Sequence, residues 1–286
     1  MKTISSRKNS VVLTFRAAAK TSPRSRRHLL LDGCHLIEDA CAAGLPLETV
    51  LLSANALQSG DERICQLAET LDAAGVQTLA ATQSVLTVVS PVRTPSGAVA
   101  IAQPLPQAWE QVVDHSEGLV VTAVGVQDPG NLGAIIRSAD AGSACGVVVV
   151  GTSADPFGWR ALRGAMGSTF RLPVATADTL ESVIAAARGH GASVVAAVPR
   201  GGHPLYEVSL EGPQLLLVGP EGSGLAHDAT TSADVRISIP MRRPVESLNV
   251  AVATALIVYE AGRQSRLKPE RTHALPADTA ASATSQ

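Results

Sequence analysis

Aromatic side chains are nearly missing from this 286-residue chain: Phe, Trp and Tyr together make up 2%. Its core must be built from Val, Leu, Ile and Ala, and platforms for stacking bases are scarce. Cysteine is sparse too. Cys34, Cys41, Cys65 and Cys145 form no CxxC pair and share no metal-ligand spacing, so neither a metal site nor a disulfide framework is expected, and the default is a reduced, cytoplasmic protein. No apolar run approaches the ~18 residues of a membrane span. Val11-Val12-Leu13 is also too short for a secretory core. Charged residues amount to 17% against 45% hydrophobic, which excludes global disorder and permits a sizeable core over two domains.

Acids are absent from the first 31 residues, which carry eight basic side chains: Lys2, Arg7, Lys8, Arg16, Lys20, Arg24, Arg26 and Arg27. The rest of the chain holds 15 basic and 25 acidic residues, so a net charge of −2 conceals a cationic end. Such a segment attracts polyanions by counterion release. From this segment alone a solvated, poorly ordered terminus is the favoured reading, and its organelle-transit composition is not supported by a clear amphipathic helix. Residues 1–28 are therefore expected to be a basic flexible arm.

Regular patterning begins at Leu29. Leu36, Ile37, Ala40 and Cys41 share a helix face ending at Gly44, and Val50-Leu51-Leu52 reads as a short strand. Glu62 to Ala74 is a second amphipathic helix, followed by strands at Val76–Leu79 and Ala98–Ala102. A small α/β domain over 29–103 accounts for this. Gln103-Pro104-Leu105-Pro106 opens a linker over 104–117, because two prolines remove backbone donors. An alternation typical of a mostly parallel sheet then occupies 118–266. Its strands are expected at Leu119–Val126, Gly146–Val150, Ser193–Val198, Gln214–Gly219 and Val235–Ile239. Helices are expected at Asn131–Gly142, Phe157–Met166 and Leu180–Arg188. The last helix, Asn249 to about Gln264, is apolar almost all round and reads as buried or as an interface. Residues 267–286 have the composition of a disordered tail.

Three polar segments close apolar strands of the larger domain. The first, Asp128-Pro129-Gly130-Asn131-Leu132-Gly133, resembles a phosphate-binding turn but lacks GxGxxG. Asn131 suits a helix N-cap there. Arg137 stands between Ile136 and Ala139 in an apolar stretch, where an unpaired arginine is uncommon, so a ligand role and a structural ion pair are about equally favoured. The second, Gly219-Pro220-Glu221-Gly222-Ser223-Gly224, permits positive φ and close approach of a ligand to backbone, though a tight loop explains its glycines. Glu221 caps a helix, orients Arg137, or is solvated. The third runs from Ile239-Pro240-Met241 to Ser247-Leu248-Asn249, where Ser247 or Asn249 serves as a cap and Met241 and Leu248 as packing residues.

Taken together, residues 128–141, 215–225 and 239–264 resemble the three signature motifs of the SpoU (TrmH) family of RNA 2′-O-ribose methyltransferases. Phe170–Val174 and His203–Val208 are also similar to that family, and the likeness covers about 118–264. More loosely, 29–103 resembles the ribosomal-protein-like substrate-binding domain of many members, with Leu31-Asp32-Gly33 in place of a Val-Glu-Gly-like run. The resemblance implies an α/β-knot catalytic domain, a parallel sheet closed by a deep trefoil knot. It implies a homodimer whose active site is completed by the partner. S-adenosyl-L-methionine would be the methyl donor, without metal, held by Gly219, Ile239, Met241 and Leu248. Asn131, Arg137, Glu221, Ser247 and Asn249 would form the polar catalytic set. A guanidinium stays protonated, so Arg137 is better suited to stabilising a developing alkoxide than to acting as a base. RNA is the implied partner, ribosomal before transfer RNA, met through the arm and basic pairs such as Arg26-Arg27 and Arg242-Arg243.

Two rivals remain. A nucleotide-dependent oxidoreductase requires GxGxxG with an acid roughly 20 residues later, and the glycine spacing fails. A catalytically silent SAM- and RNA-binding relative is opposed by the intact Asn131, Arg137 and Ser247-Leu248-Asn249.

Overall fold

A computed structural model describes residues 1–20, 27–104, 107–114 and 117–266. The N-terminal unit contains β1 (Thr3–Ile4), α1 (Ser10–Ala18), β2 (Leu29–Asp32), α2 (Cys34–Ala42), β3 (Leu47–Ser53) and α3 (Ala54–Ser59), then α4 (Glu62–Ala73), β4 (Thr78–Ala81), α5 (Gln83–Val89) and β5 (Ala98–Ala102). Its sheet runs β1-β4-β3-β5-β2, parallel from β1 to β3 and antiparallel at β5 and β2.

The expectation of a flexible arm fails over the described part of 1–28. Thr3 and Ile4 pair with Ala80 and Ala81 as an edge strand. Asn9 caps α1 by accepting from the Val11 amide, and Val12, Phe15 and Ala18 are buried against the sheet. Three apolar side chains spaced by three residues suffice to dock one helical turn after another, while Lys2, Lys8, Arg16 and Lys20 stay exposed. Arg24 and Arg26 lie outside the described residues, as does the tail from 267 onward. The linker over 104–117 also needs correction. It contains α6 (Trp109–Asp114), whose Val112 and Val113 are buried in the second domain, with Val112 pressed against Gly146.

That second domain continues with β6 (Leu119–Val124), α7 (Pro129–Ala141), β7 (Gly146–Val150), α8 (Trp159–Ala165), α9 (Ser168–Arg171), β8 (Val174–Ala177) and α10 (Leu180–Gly189). It ends with β9 (Ser193–Ala197), β10 (His203–Pro204), β11 (Gln214–Val218), α11 (His227–Thr231), β12 (Val235–Ser238) and α12 (Val250–Arg266). Seven parallel strands run in the order β10-β12-β9-β11-β6-β7-β8. The central strands are buried on both faces, as their unbroken Val and Leu runs require. From β6 the chain builds outward through β7 and β8, then crosses to β9 on the other side. Open α/β sheets form their ligand crevice at such a reversal, beyond the strand C-termini.

The two units meet through α8, which covers the free edge of β2. Leu162 is buried with Leu29, Leu31 and Ile37 on one face of the N-terminal sheet, and Trp159 packs on the opposite face. On its other side α8 touches α7 backbone to backbone: a Cβ on Gly133 would lie 2.5 Å from the Ala161 carbonyl and 2.9 Å from the Ala165 amide. Arg171 adds ion pairs to Asp140 (3.1 Å) and, from the N-terminal unit, Asp39 (3.6 Å).

Candidate active site

Three loops converge beyond the C-terminal ends of β9, β11 and β12. They enclose, with the start of α12, a cleft of about 400 Å³, within the range of ligand pockets. Val218, Ile239, Met241, Leu248 and Ile257 give it apolar walls, and Gly219-Pro220-Glu221-Gly222 supply a backbone rim. Gly219 has no room for a side chain, since a Cβ there would lie 2.6 Å from the Gly224 carbonyl carbon. Gly222 and Gly224 hold positive φ of 89° and 67°, so the loop turns back on itself as their residue type allows.

Polar groups at the rim form one connected chain. The Asn249 side-chain amide donates to the Asn131 side-chain oxygen at 2.9 Å, and the Asn131 amide donates to Glu221. Each of the three signature segments contributes one member. Asn249 also caps α12, its side-chain oxygen accepting from the amides of Ala251 (2.9 Å) and Val252 (3.3 Å). Asn131 is not a cap. That place belongs to Asp128, which accepts from the Asn131 backbone amide at 2.8 Å with Pro129 at the first helical position. The Asn131 side chain is thereby released to bridge the other two loops.

Of the nine residues singled out from the sequence, Gly219, Glu221, Ile239, Met241, Ser247, Leu248 and Asn249 line this cleft, and Asn131 is bonded to two of them. Arg137 stands apart. The apolar face of α7 is carried by Leu132, Ile135, Ile136 and Ala139, and Arg137 points away from it, exposed and without a hydrogen bond or ion pair to any described residue. Its sequence neighbours suggested an apolar setting that the helical turn does not produce. The sequence also failed to mark Ala197, Val198 and Pro199, which form the wall at the end of β9. Nothing in their chemistry distinguishes them; only the position of a strand end beside β11 does.

Among the described residues no group of three or more His, Cys, Asp or Glu is placed to hold a metal, and no helix is long and apolar enough to cross a membrane.

Residues 118–259 match the SpoU rRNA Methylase family. The chain is 32% identical over 260 residues to the 23S rRNA (guanosine(2553)-2′-O)-methyltransferase RlmP of Bacillus subtilis, covering 91% of this chain and 98% of that one. It is likewise 32% identical over 263 residues to an uncharacterized tRNA/rRNA methyltransferase of Synechocystis, with 91% and 93% covered. The chain belongs to the SpoU family. Its fold is similar to that of an AdoMet-bound rRNA methyltransferase from Sinorhizobium meliloti, with a TM-score of 0.79, 30% identity, and 92% and 97% of the two chains covered. Family membership accounts for a rim assembled from three distant segments.

Proposed function

We propose that this protein transfers a methyl group from S-adenosyl-L-methionine to a ribose 2′-hydroxyl of RNA, and that ribosomal RNA is its substrate class. The observation that carries the reading is the Glu221–Asn131–Asn249 hydrogen-bond chain at the lip of a cleft with apolar walls. Its support is the similarity to relatives that carry this activity in their names and to the AdoMet-bound structure.

The cleft suits the donor chemically. Ile239, Met241 and Leu248 offer an apolar slot for an adenine ring, and the Gly219–Gly222 backbone offers hydrogen bonds, so no acidic ribose clamp or metal is needed. In the transfer, the 2′-oxygen attacks the methyl carbon in line with the carbon–sulfur bond. That bond breaks toward sulfur, S-adenosylhomocysteine leaves, and the hydroxyl proton passes to a neighbouring phosphate or solvent. Holding the oxygen on this axis supplies much of the acceleration. The role of the Asn131 and Asn249 amides is to hold the loops that aim it, with Ser247 beside them. Arg137 stabilises the developing alkoxide, because its guanidinium has no competing partner among the described residues.

Arg137 does not line the cleft of its own chain, and a homodimer accounts for this by bringing it to the partner's cleft. The exposed apolar face of α12 supports that arrangement: Val252, Leu256 and Tyr259 are 49%, 38% and 57% exposed at positions i, i+4 and i+7. This face adjoins α7, since Tyr259 and Val258 flank Gly142 at its end. We further read the chain as a deep trefoil knot. Its support is the path from β12, two strands away from β11 in the sheet, back to Asn249 beside Asn131 at the start of α7. The N-terminal unit is read as a ribosomal-protein-like domain that recruits RNA, in a cytoplasmic enzyme.

The test is to map 2′-O-methyl groups across total RNA from cells with and without the gene. Loss of one ribosomal site is the expected outcome. Loss of a transfer RNA site would move the substrate class. An unchanged map with SAM still bound by the purified protein would leave a silent relative and defeat the reading.

A further inference from the structure

The helix between the domains, α8, spends most of its surface on packing. Ala161, Leu162 and Ala165 are buried, and Trp159 is half-buried against the N-terminal sheet. Arg160 and Arg163 remain exposed. Elsewhere Arg63, Arg171, Arg188, Arg200 and Arg263 each pair with a carboxylate. Arg160 and Arg163, like Arg93, Arg137, Arg236, Arg242 and Arg243, form no ion pair with any described residue. The Arg160 guanidinium lies over the Trp159 ring, 5.1 Å from its centroid. This cation–π contact keeps the guanidinium near the ring while leaving its N–H groups free to meet an anion.

Arg163 stands at the seam itself. On one side it feels the Asp32 carboxylate across a gap longer than an ion pair. Asp32 ends β2 and accepts hydrogen bonds from Ser90 (2.6 Å) and Ser96 (3.4 Å), which pin both ends of the loop bearing the exposed Arg93. On the other side the next residue, Gly164, rests on the first turn of α7, where a Cβ would lie 3.3 Å from the Gly130 carbonyl oxygen. Asn131 follows Gly130 in sequence. Arg137 lies two turns further along, about 10 Å down the helix axis. The exposed cations therefore run from the N-terminal domain to the first turn of the active-site helix.

A purely structural role explains this poorly. Asp32 already has two hydroxyl donors, and a guanidinium serving only to neutralise it would close to contact. Arg160 has no acid within ion-pair distance among the described residues.

We propose that Arg160 and Arg163 form a phosphate-binding seam that grips the RNA backbone beside the nucleotide presented to Asn131 and, in the proposed dimer, to the partner's Arg137. The inference rests on the reading of the protein as an RNA ribose methyltransferase, and it makes the two arginines positioning residues that set register without reading bases. With few aromatics to stack on, backbone contacts are the recognition this chain can supply.

The probe is an unmodified 23S ribosomal RNA transcript. Its binding to the full chain is measured across salt concentrations, with SAM affinity and methyl transfer measured alongside. In the Arg160→Ala/Arg163→Ala double variant, losing two single-strand phosphate contacts should make the slope of log affinity against log salt shallower by roughly 1.4. KM for RNA should rise while kcat and SAM affinity hold. Arg163→Lys should restore most of the binding lost in Arg163→Ala. A wild-type slope in the double variant overturns the inference, and so does a parallel loss of SAM affinity. Adding Asp32→Asn to Arg163→Ala separates the structural role: binding that stays weak supports the seam, and restored binding overturns it. Wild-type transfer is scored by an alkali-resistant 2′-O-methyl dinucleotide in the same transcript. If that product is missing, the activity reading fails, while the salt slope still tests the seam.

Discussion

Asn249 donates its side-chain amide to Asn131 at 2.9 Å, joining residues 118 positions apart in the chain. The two ends of this bond have different second tasks. Asn249 also caps α12 through two backbone amides, whereas α7 is capped by Asp128. Asn249→Ala should therefore cost about 1 kcal/mol of stability and lower Tm by roughly 2–4 °C. Asn131→Ala should leave Tm nearly unchanged. Both should depress methyl transfer, and the double variant should be little worse than either, as expected for groups acting as a unit. Calorimetry with a transfer assay checks this; additive losses would separate the two residues.

Arg137 is exposed and makes no hydrogen bond or ion pair with any described residue that a truncation would remove. Arg137→Ala should reduce kcat by about 10²–10³, the usual loss for one oxyanion donor, with SAM affinity and Tm held. Single-turnover transfer and calorimetric SAM titration give the two numbers. Near-normal turnover would remove Arg137 from the reaction.

Leu256 sits at the centre of the exposed stripe on α12. Leu256→Arg should convert a dimer into monomers in analytical ultracentrifugation, with little change in monomer stability because the site is solvent-facing. Transfer should fall with dimer content if the partner's Arg137 completes the site. A wild-type that sediments as a monomer at micromolar concentration would refute the dimer.

Glu260 gives the fold an acid-sensitive element. Hydrogen bonds from Arg263 (2.6 and 2.8 Å) and from Gln264 (2.8 Å) hold its carboxyl down to about 2, against an ordinary 4.5. A depressed carboxyl stabilises the folded state above its unfolded value, and that contribution disappears as pH falls toward the folded one. Stability should therefore decline between about pH 4.5 and pH 2, and Glu260→Gln should flatten that part of the profile. Urea unfolding midpoints across this range are the measurement, and an unchanged acid slope in the variant would count against the pairing.

Much of the larger domain is legible in the periodicity of its sequence. Gly146–Val150 is a strand of five buried residues and reads as one. The helix beginning at Leu180 is equally plain, with Thr179 as its cap. Short elements are hidden. Val12, Phe15 and Ala18 are too few to outweigh the basic, polar sequence around them, and α6 follows a proline pair that signals a break. β8 has only four residues, one of them Thr176, and becomes a strand by pairing with β7. At the site, loop residues with unusual chemistry stand out, because Gly219, Glu221 and Asn249 each do something an ordinary loop does not require. The exposure of Arg137 does not follow from its neighbours, since it depends on which face α7 turns to the sheet.

The contact between α7 and α8 passes through Gly133 and Gly164, with no layer of side chains between the two backbones. Side chains are the compressible part of most helix interfaces, since they absorb small shifts by changing rotamer. Here that cushion is missing. Because Trp159 and Leu162 plug the same helix into both faces of the N-terminal sheet, a tilt of that domain would be handed on almost undiminished to the turn carrying Asn131. Such a tilt would make the N-terminal domain a lever on Asn131.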